Sequence, residues 1–260
     1  MCIRDRVKIV AAGAIPPLVA LLGPRSSAGV QELAVGALWR LSIKNPDNSF
    51  KIVAAGAIPP LVALLGPRNS ACVQEGAVAA LSNLTAGFDN LAEIAAAGAI
   101  PPLVALLGPR NSAEAQEAAT GALMNLADND GNKVKIAAAG AIPPLVALLG
   151  PEISARVQRQ ATGALANLAL DGDNRVKIAA AGAIPPLVAL LPTGPQCSVL
   201  VQVAAALKHL ALDNDDNKVQ IRSAGAVGAL KRLLLSTTDE SLKSAASAAI
   251  SMISGSIGPV

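Results

Sequence analysis

Gly13-Ala14-Ile15-Pro16-Pro17-Leu18-Val19-Ala20-Leu21-Leu22-Gly23 recurs from Gly56, Gly98 and Gly140, and again from Gly182, where the last residue becomes Pro192. A sixth, worn copy reads Gly225-Ala226-Val227-Gly228-Ala229-Leu230. The copies start 42 or 43 residues apart. A fixed period of that length marks a helical solenoid, in which each unit covers the apolar face of its neighbour. Function in such a chain is to be sought on a surface built by repetition rather than in a single pocket.

Composition agrees with thin helical layers. The 260 residues are 52% hydrophobic but only 1% aromatic. Much of the apolar content is alanine, the best helix former. The alternating β-branched and aromatic runs of strands are missing. No apolar run reaches the ~18 residues of a membrane span, because Gly and two prolines cut the longest, Ala11 to Leu22 and its copies. The net charge of +3 is spread along the chain, too mild to argue for nucleic acid or an acidic membrane. Cys2, Cys72 and Cys197 form an odd set. With helix layers about 10 Å apart, Cys72 and Cys197 lie too far apart to bridge. That favours a reducing compartment, the cytoplasm or nucleus, and no targeting segment is visible.

Met1-Cys2-Ile3-Arg4-Asp5-Arg6 breaks the pattern, since later copies carry Asp/Asn-rich turns there. The hexapeptide resembles a translated sequencing adapter joined to a chain truncated upstream; an irregular natural N-terminus is the alternative. The expected organisation is therefore a non-native start at 1–6, one solenoid over 7–255 and a tail at 256–260. Its repeats fall near 7–45, 46–87, 88–129, 130–171, 172–214 and 215–255.

One unit shows the design. Asn132 to Ala139 reads as a short first helix, with Asn132 as its N-cap and Gly140 as its left-handed stop. Pro143 and Pro144 fall in the first turn of a second helix, where a missing N–H costs nothing. Leu145, Leu148 and Leu149 form its apolar stripe, and Gly150-Pro151 ends it. A third helix runs from Ala155 to Ala169 with a 3.6-residue apolar period.

This unit resembles an armadillo repeat. The match is carried by Gly-Ala-Ile-Pro-Pro-Leu-Val-Ala-Leu-Leu and by the third-helix endings Leu81-Ser82-Asn83-Leu84, Leu123-Met124-Asn125-Leu126 and Leu165-Ala166-Asn167-Leu168. The resemblance implies an all-α, right-handed solenoid of about six repeats, three helices each, with the third helices lining a concave groove. Relatives of the importin-α, β-catenin and vacuolar armadillo groups hold extended peptides there. The expected function is a monomeric, non-enzymatic protein-interaction scaffold that binds an extended segment of a partner protein. A nuclear import adaptor, or the docking region of a larger enzyme such as a ubiquitin ligase, are the alternatives.

Within the third helices, Arg40, Asn83, Asn125, Asn167, His209 and Met252 recur at the intervals of the proline motif. An asparagine amide donates and accepts at once, so a row of them can pair the backbone of an extended strand without reading its side chains. Asn is also a poor mid-helix residue, which makes its recurrence informative. The leucines two before and one after each ladder position should face the core. Four residues before it, on the same face, stand Gly36, Ala79, Gly121, Gly163 and Ala205. Importin-α-like proteins often carry tryptophan there, so lysine pockets of that cation–π kind are not expected. Trp39 lies one before the ladder and reads as a packing residue.

Eight before the ladder come Glu32, Glu75, Glu117, Arg159 and Val201, and eleven before it Glu114 and Arg156. The expected groove is acidic over repeats 1 to 3 and basic over repeat 4. It suits a peptide with a basic segment and an acidic one.

Catalytic constellations are missing from the sequence. His209 is the one histidine, with no Ser/His/Asp or Cys/His arrangement around it. Asp128-Asn129-Asp130-Gly131-Asn132 fails as a calcium loop, because its sixth position is Lys133 and its twelfth Ala139. No cofactor or metal is expected, and the Asn83-Leu84-Thr85 sequon lies inside a helix.

Overall fold

The computed structural model describes residues 3–87, 90–191 and 197–255. Met1, Cys2, Pro192 and the 256–260 tail lie outside the described residues. Those residues hold 18 α-helices and no strand. Repeat 1 contains α1 (Ile3–Ala11), α2 (Ile15–Ala20) and α3 (Ala28–Ser42), and repeat 2 contains α4 (Pro46–Ala54), α5 (Ile58–Leu64) and α6 (Ala71–Leu84). Repeat 3 contains α7 (Leu91–Ala96), α8 (Ile100–Ala105) and α9 (Ala113–Leu126), and repeat 4 contains α10 (Asp130–Ala138), α11 (Ile142–Ala147) and α12 (Ala155–Leu168). Repeat 5 contains α13 (Gly172–Ala180), α14 (Ile184–Ala189) and α15 (Cys197–Ala211), and repeat 6 contains α16 (Asp215–Ser223), α17 (Ala226–Ser236) and α18 (Glu240–Ser254). The chain forms two compact units, Met1–Asn132 and Lys133–Val260.

Local chemistry sets the helix ends. Gly13, Gly56, Gly98, Gly140, Gly182 and Gly225 all have φ between 76° and 83°, the left-handed conformation that L side chains resist. Each stops a first helix. The second helices of the first five repeats then open on proline within the first two positions. Their N-caps are alanine, with no side-chain bond, so proline does this work by removing donors that would need a cap. The third helices of repeats 1 to 4 start on a serine cap. Ser27, Ser70, Ser112 and Ser154 accept from Val30, Val73, Ala115 and Val157 at 3.2 to 3.4 Å.

A glutamine in the same helices closes the second helix. Gln31 Nε2 donates to Leu22 O at 3.1 Å and Gly23 O at 3.0 Å. Gln74, Gln116 and Gln158 donate to Gly66, Gly108 and Gly150 at 2.7, 2.8 and 2.7 Å. Repeat 5 has Leu200 at that place.

One expectation is corrected. Asn132 does not cap α10: its N–H donates to Asn129 Oδ1 at 3.2 Å, so Asn129 is the capping side chain. Asn132 lies one turn inside, 1% exposed. Asn45, Asp171 and Asn214 cap α4, α13 and α16 in the same way. The first helix, α1, begins at Ile3. Arg6 Nη1 donates to Arg40 O at 3.2 Å and Ile43 O at 2.6 Å, closing the C-terminal carbonyls of α3, where a cation also meets the negative end of the helix dipole. Arg222 does the same for α18, donating to Ile253 O at 2.8 Å and Gly255 O at 3.2 Å.

The core is leucine and isoleucine between layers of alanine. The leucines two before and one after the ladder, Leu38 and Leu41 through Leu207 and Leu210, are at most 1% exposed. In the first unit α3 packs on α6 and α6 on α9; in the second α12 packs on α15 and α15 on α18. No described helix is long and apolar enough to cross a membrane.

Candidate functional site

The third helices position the ladder. With its flanking leucines buried, each ladder residue falls on the opposite edge of its helix, half-exposed except for Arg40, which is exposed. In the first unit, hydrogen bonds between repeats hold the row in register. Asn83 Nδ2 donates to Ser42 Oγ at 3.0 Å, two residues beyond Arg40. Asn125 Nδ2 donates to Thr85 Oγ1 at 3.1 Å, two residues beyond Asn83. Thr85 is 2% exposed, and its own hydroxyl donates to Ser82 O at 2.8 Å. The structure thus brings Arg40, Asn83 and Asn125 onto one edge of three successive helices. Each amide spends one N–H on this bond, and an amide has a second N–H and Oδ1 besides.

In the second unit Asn167 is half-exposed on α12. His209 Nδ1 meets Ala166 O at 2.9 Å, beside Asn167. That carbonyl can only accept, so Nδ1 carries the proton and neutral His209 keeps Nε2 as an acceptor. Burial pushes the His209 pKa below its ordinary value of 6.5. The Ala166 bond opposes this, and Lys208, Arg175 and Lys133 add to the lowering.

Glu32 and Glu114 are exposed, and Glu75 and Glu117 half-exposed, on the third helices of the first unit. Arg156 is exposed and Arg159 half-exposed on α12. Gly36 and Ala79 are half-exposed, and a Cβ at Gly36 would meet nothing within 4 Å. Gly121 and Gly163 are instead buried. Trp39 is half-buried. Cys72 is exposed and free.

A second asparagine row escaped the sequence reading. Asn48, Asn90, Asn132, Asn174 and Asn217 recur at the same 42- or 43-residue interval on or before the first helices. Four of them are 4, 1, 1 and 2% exposed (Asn48, Asn132, Asn174 and Asn217). Asn48 donates to Leu41 O at 2.9 Å, and Asn132 to Leu91 O and Leu126 O, both at 3.2 Å. Asn174 donates to Lys133 O at 3.4 Å, and Asn217 to Leu210 O at 2.9 Å and Arg175 O at 3.5 Å. These amides join the end of a third helix or the preceding first helix to the next repeat, and they face no ligand. Periodicity alone would have found them. Ser42 and Thr85, which orient the ladder, have no such signal, because later repeats carry Ala127, Ala169 and Ala211 there.

Comparison with known proteins agrees with this architecture. The model of the armadillo/beta-catenin-like repeat family matches residues 4–43, 45–86, 88–128, 129–170 and 214–255. The unmatched stretch is repeat 5, which lacks the glutamine clamp. No curated protein sequence matches the chain. Among solved structures, a computationally designed armadillo repeat protein for modular peptide recognition is similar at 33% identity, with a TM-score of 0.81, covering 92% of this chain and 99% of that one. A designed armadillo repeat protein in complex with the peptide (KR)4 is 31% identical, with a TM-score of 0.78 and coverage of 92% and 99%. An engineered protein is 32% identical, with a TM-score of 0.86, covering 97% of this chain and 61% of that one. With its family's repeat matched over most of its length, the chain belongs to the armadillo repeat proteins.

Proposed function

We propose that the chain is a non-enzymatic scaffold whose third helices hold an extended segment of a partner protein by its backbone. The observation that carries the reading is the oriented amide row: Asn83 and Asn125 are half-exposed, locked to Ser42 and Thr85, and left with donor and acceptor capacity. An extended strand presents backbone N–H and C=O groups in alternation, which such amides can pair. Asn167 and His209 carry the same role in the second unit.

Charge sets the sequence preference. Glu32, Glu75, Glu114 and Glu117 favour a basic segment on the first unit, which fits a designed relative that holds (KR)4. Arg156 and Arg159 favour an acidic segment on the second. An import-adaptor reading would need tryptophan pockets, and the one tryptophan of the chain is half-buried beside the ladder. The exposed free thiol of Cys72 fits action in the cytoplasm or nucleus.

Fluorescence anisotropy with labelled (KR)4 tests the charge preference. Wild type binds more tightly at low salt, where charge is least screened, and Glu32→Lys with Glu75→Lys removes the salt dependence along with most of the affinity. Binding that the double variant leaves unchanged at low salt would contradict it.

A further inference from the structure

Repeat 5 sets its ladder histidine among cations. One residue before the ladder stand Trp39, Ser82, Met124, Ala166, Lys208 and Ser251, so a charge at this place is confined to repeat 5. The residue after each asparagine of the first-helix row is Ser49, Leu91, Lys133, Arg175 or Lys218. Repeats 2 and 3 of the first unit are uncharged there, whereas every repeat of the second unit carries a cation.

Hydrogen bonds fix two of these groups at the junction of α12 and α15. His209 Nδ1 meets Ala166 O at 2.9 Å. Arg175 Nε donates to Ala169 O at 3.0 Å, and its Nη1 donates to Leu212 O. Ala169 and Leu212 lie three residues beyond Ala166 and His209. Arg175 therefore spans the same two helices one turn, about 5 Å, further on. Arginine carries its N–H donors in a fixed fork. With Nε and Nη1 turned to carbonyls, Nη2 is left, on a residue that is half-exposed. His209 is half-exposed with Nε2 on the edge away from Ala166, and Lys208 is half-exposed beside it. The lysine ammonium rides on a flexible stem that can follow a ligand.

The charges that act on His209 are all positive: Lys208 on its own helix, Arg175 on α13 and Lys133 on α10. Burial holds the imidazole neutral, and these cations reinforce it. The carboxylates of the surrounding elements have other work. Asp171 accepts from Asn174 N at 3.0 Å. Asp215 pairs with Lys218 on α16, and Glu240 with Lys243 on α18, both at 2.8 Å. On α18 the ladder place itself is taken by uncharged Met252, and on α12 Arg159 lies two turns before Ala166. No ion pair joins Arg175 or Lys208 to a carboxylate among the described residues. Cations gathered without a counter-ion repel one another, and an anion seated among them relieves that repulsion.

We infer that Arg175, Lys208 and His209 form a seat for one carboxylate, an Asp or Glu side chain of the extended partner segment. The seat rests on the peptide-binding reading and adds a side-chain preference to it. Arg175 Nη2 and Lys208 Nζ donate to the carboxylate oxygens. As the carboxylate arrives, His209 takes a proton from solvent at Nε2, which turns from acceptor to donor and completes the seat. Binding is thereby coupled to proton uptake, and an acidic segment is held more tightly as pH falls.

Calorimetric titration of the full chain with the peptides (EG)4 and (KR)4, at low salt and at about pH 7.5 and about pH 5.5, tests this. Glutamate stays largely ionised at both values, while a histidine titrates between them, and His209 is the one histidine of the chain. Wild type should bind (EG)4 about 3- to 10-fold more tightly at the lower pH, the gain of turning a neutral hydrogen bond into a charge-assisted one. His209→Asn, which puts the amide of the other rungs in its place, should bring the ratio of the two (EG)4 affinities to about 1. Lys208→Gln should weaken (EG)4 at least ~3-fold at both values. An (EG)4 affinity that does not rise at the lower pH, or a rise that His209→Asn retains, would overturn the proposal. So would binding of (KR)4 with none of (EG)4 at either pH, a result that leaves the amide row standing. Failure of both peptides would overturn the seat and the amide row together.

Discussion

On the first helices, Asn48, Asn132, Asn174 and Asn217 are at most 4% exposed and donate into carbonyls at the ends of neighbouring helices. On the third helices, Asn83, Asn125 and Asn167 are half-exposed, and the first two donate to hydroxyls of the preceding repeat. The residue type, the spacing and even the habit of reaching back one repeat are shared. What differs is what remains afterwards. A buried amide that fills orphan carbonyls has done its work within the fold. A half-exposed amide with one donor occupied still has an acceptor and a donor to offer. Recurrence marks a position as important; burial decides whether the importance lies in stability or in binding.

The comparison is sharpest at Asn217→Ala. It removes one buried and one half-buried bond and leaves the Leu210 carbonyl, at the end of α15, without its donor, so unfolding by guanidinium should show a loss of about 2 kcal/mol. A loss below ~0.5 kcal/mol would break the distinction. Asn83→Ala with Asn125→Ala comes next. Because the buried hydroxyls of Ser42 and Thr85 keep their own bonds to Trp39 O and Ser82 O, the double variant should cost under ~1 kcal/mol of stability, and its helicity should match wild type by circular dichroism.

Thr85→Val is smaller still in stability but informative. It keeps the shape, removes the hydroxyl that accepts from Asn125, and frees that amide to rotate. Peptide affinity should fall ~3- to 10-fold, the worth of one weakened hydrogen bond, with the unfolding midpoint nearly unchanged. An unchanged affinity would show that orientation by the preceding repeat is irrelevant.

The least effect is at His209. Its folded pKa lies below the ordinary 6.5, so the unfolded chain binds the proton more readily. The stability it contributes is full above that value and is lost as pH falls through it toward the folded pKa. His209→Asn should flatten the pH dependence of stability on the acid side of neutrality. A ring NMR titration giving a pKa at or above 6.5 would contradict the sign.

Much of the fold was legible because its signals are local. Gly140 at φ 79° stops a helix by its own conformational freedom, and Pro143 and Pro144 start one by lacking an N–H. The leucine period points inward whatever surrounds it. The ladder positions were legible as a row for the same reason. Partnership was not: that Asn83 would find Ser42, or that Asn132 would be sealed between Leu91 and Leu126, depends on residues 41 positions away or on the packing of a helix end. The Asn132 cap failed on a three-residue offset, because Asn129 and Asn132 both suit a helix start and only burial separates them.

The most direct test of the amide row is calorimetric titration of labelled-free (KR)4 into wild type and into the Asn83→Ala, Asn125→Ala double variant. With two backbone-pairing amides removed, affinity should fall ~10- to 100-fold, the ~1–3 kcal/mol of two hydrogen bonds, while unfolding stays within ~1 kcal/mol. Equal affinity in the two proteins, or no binding by wild type at low salt, would contradict the account.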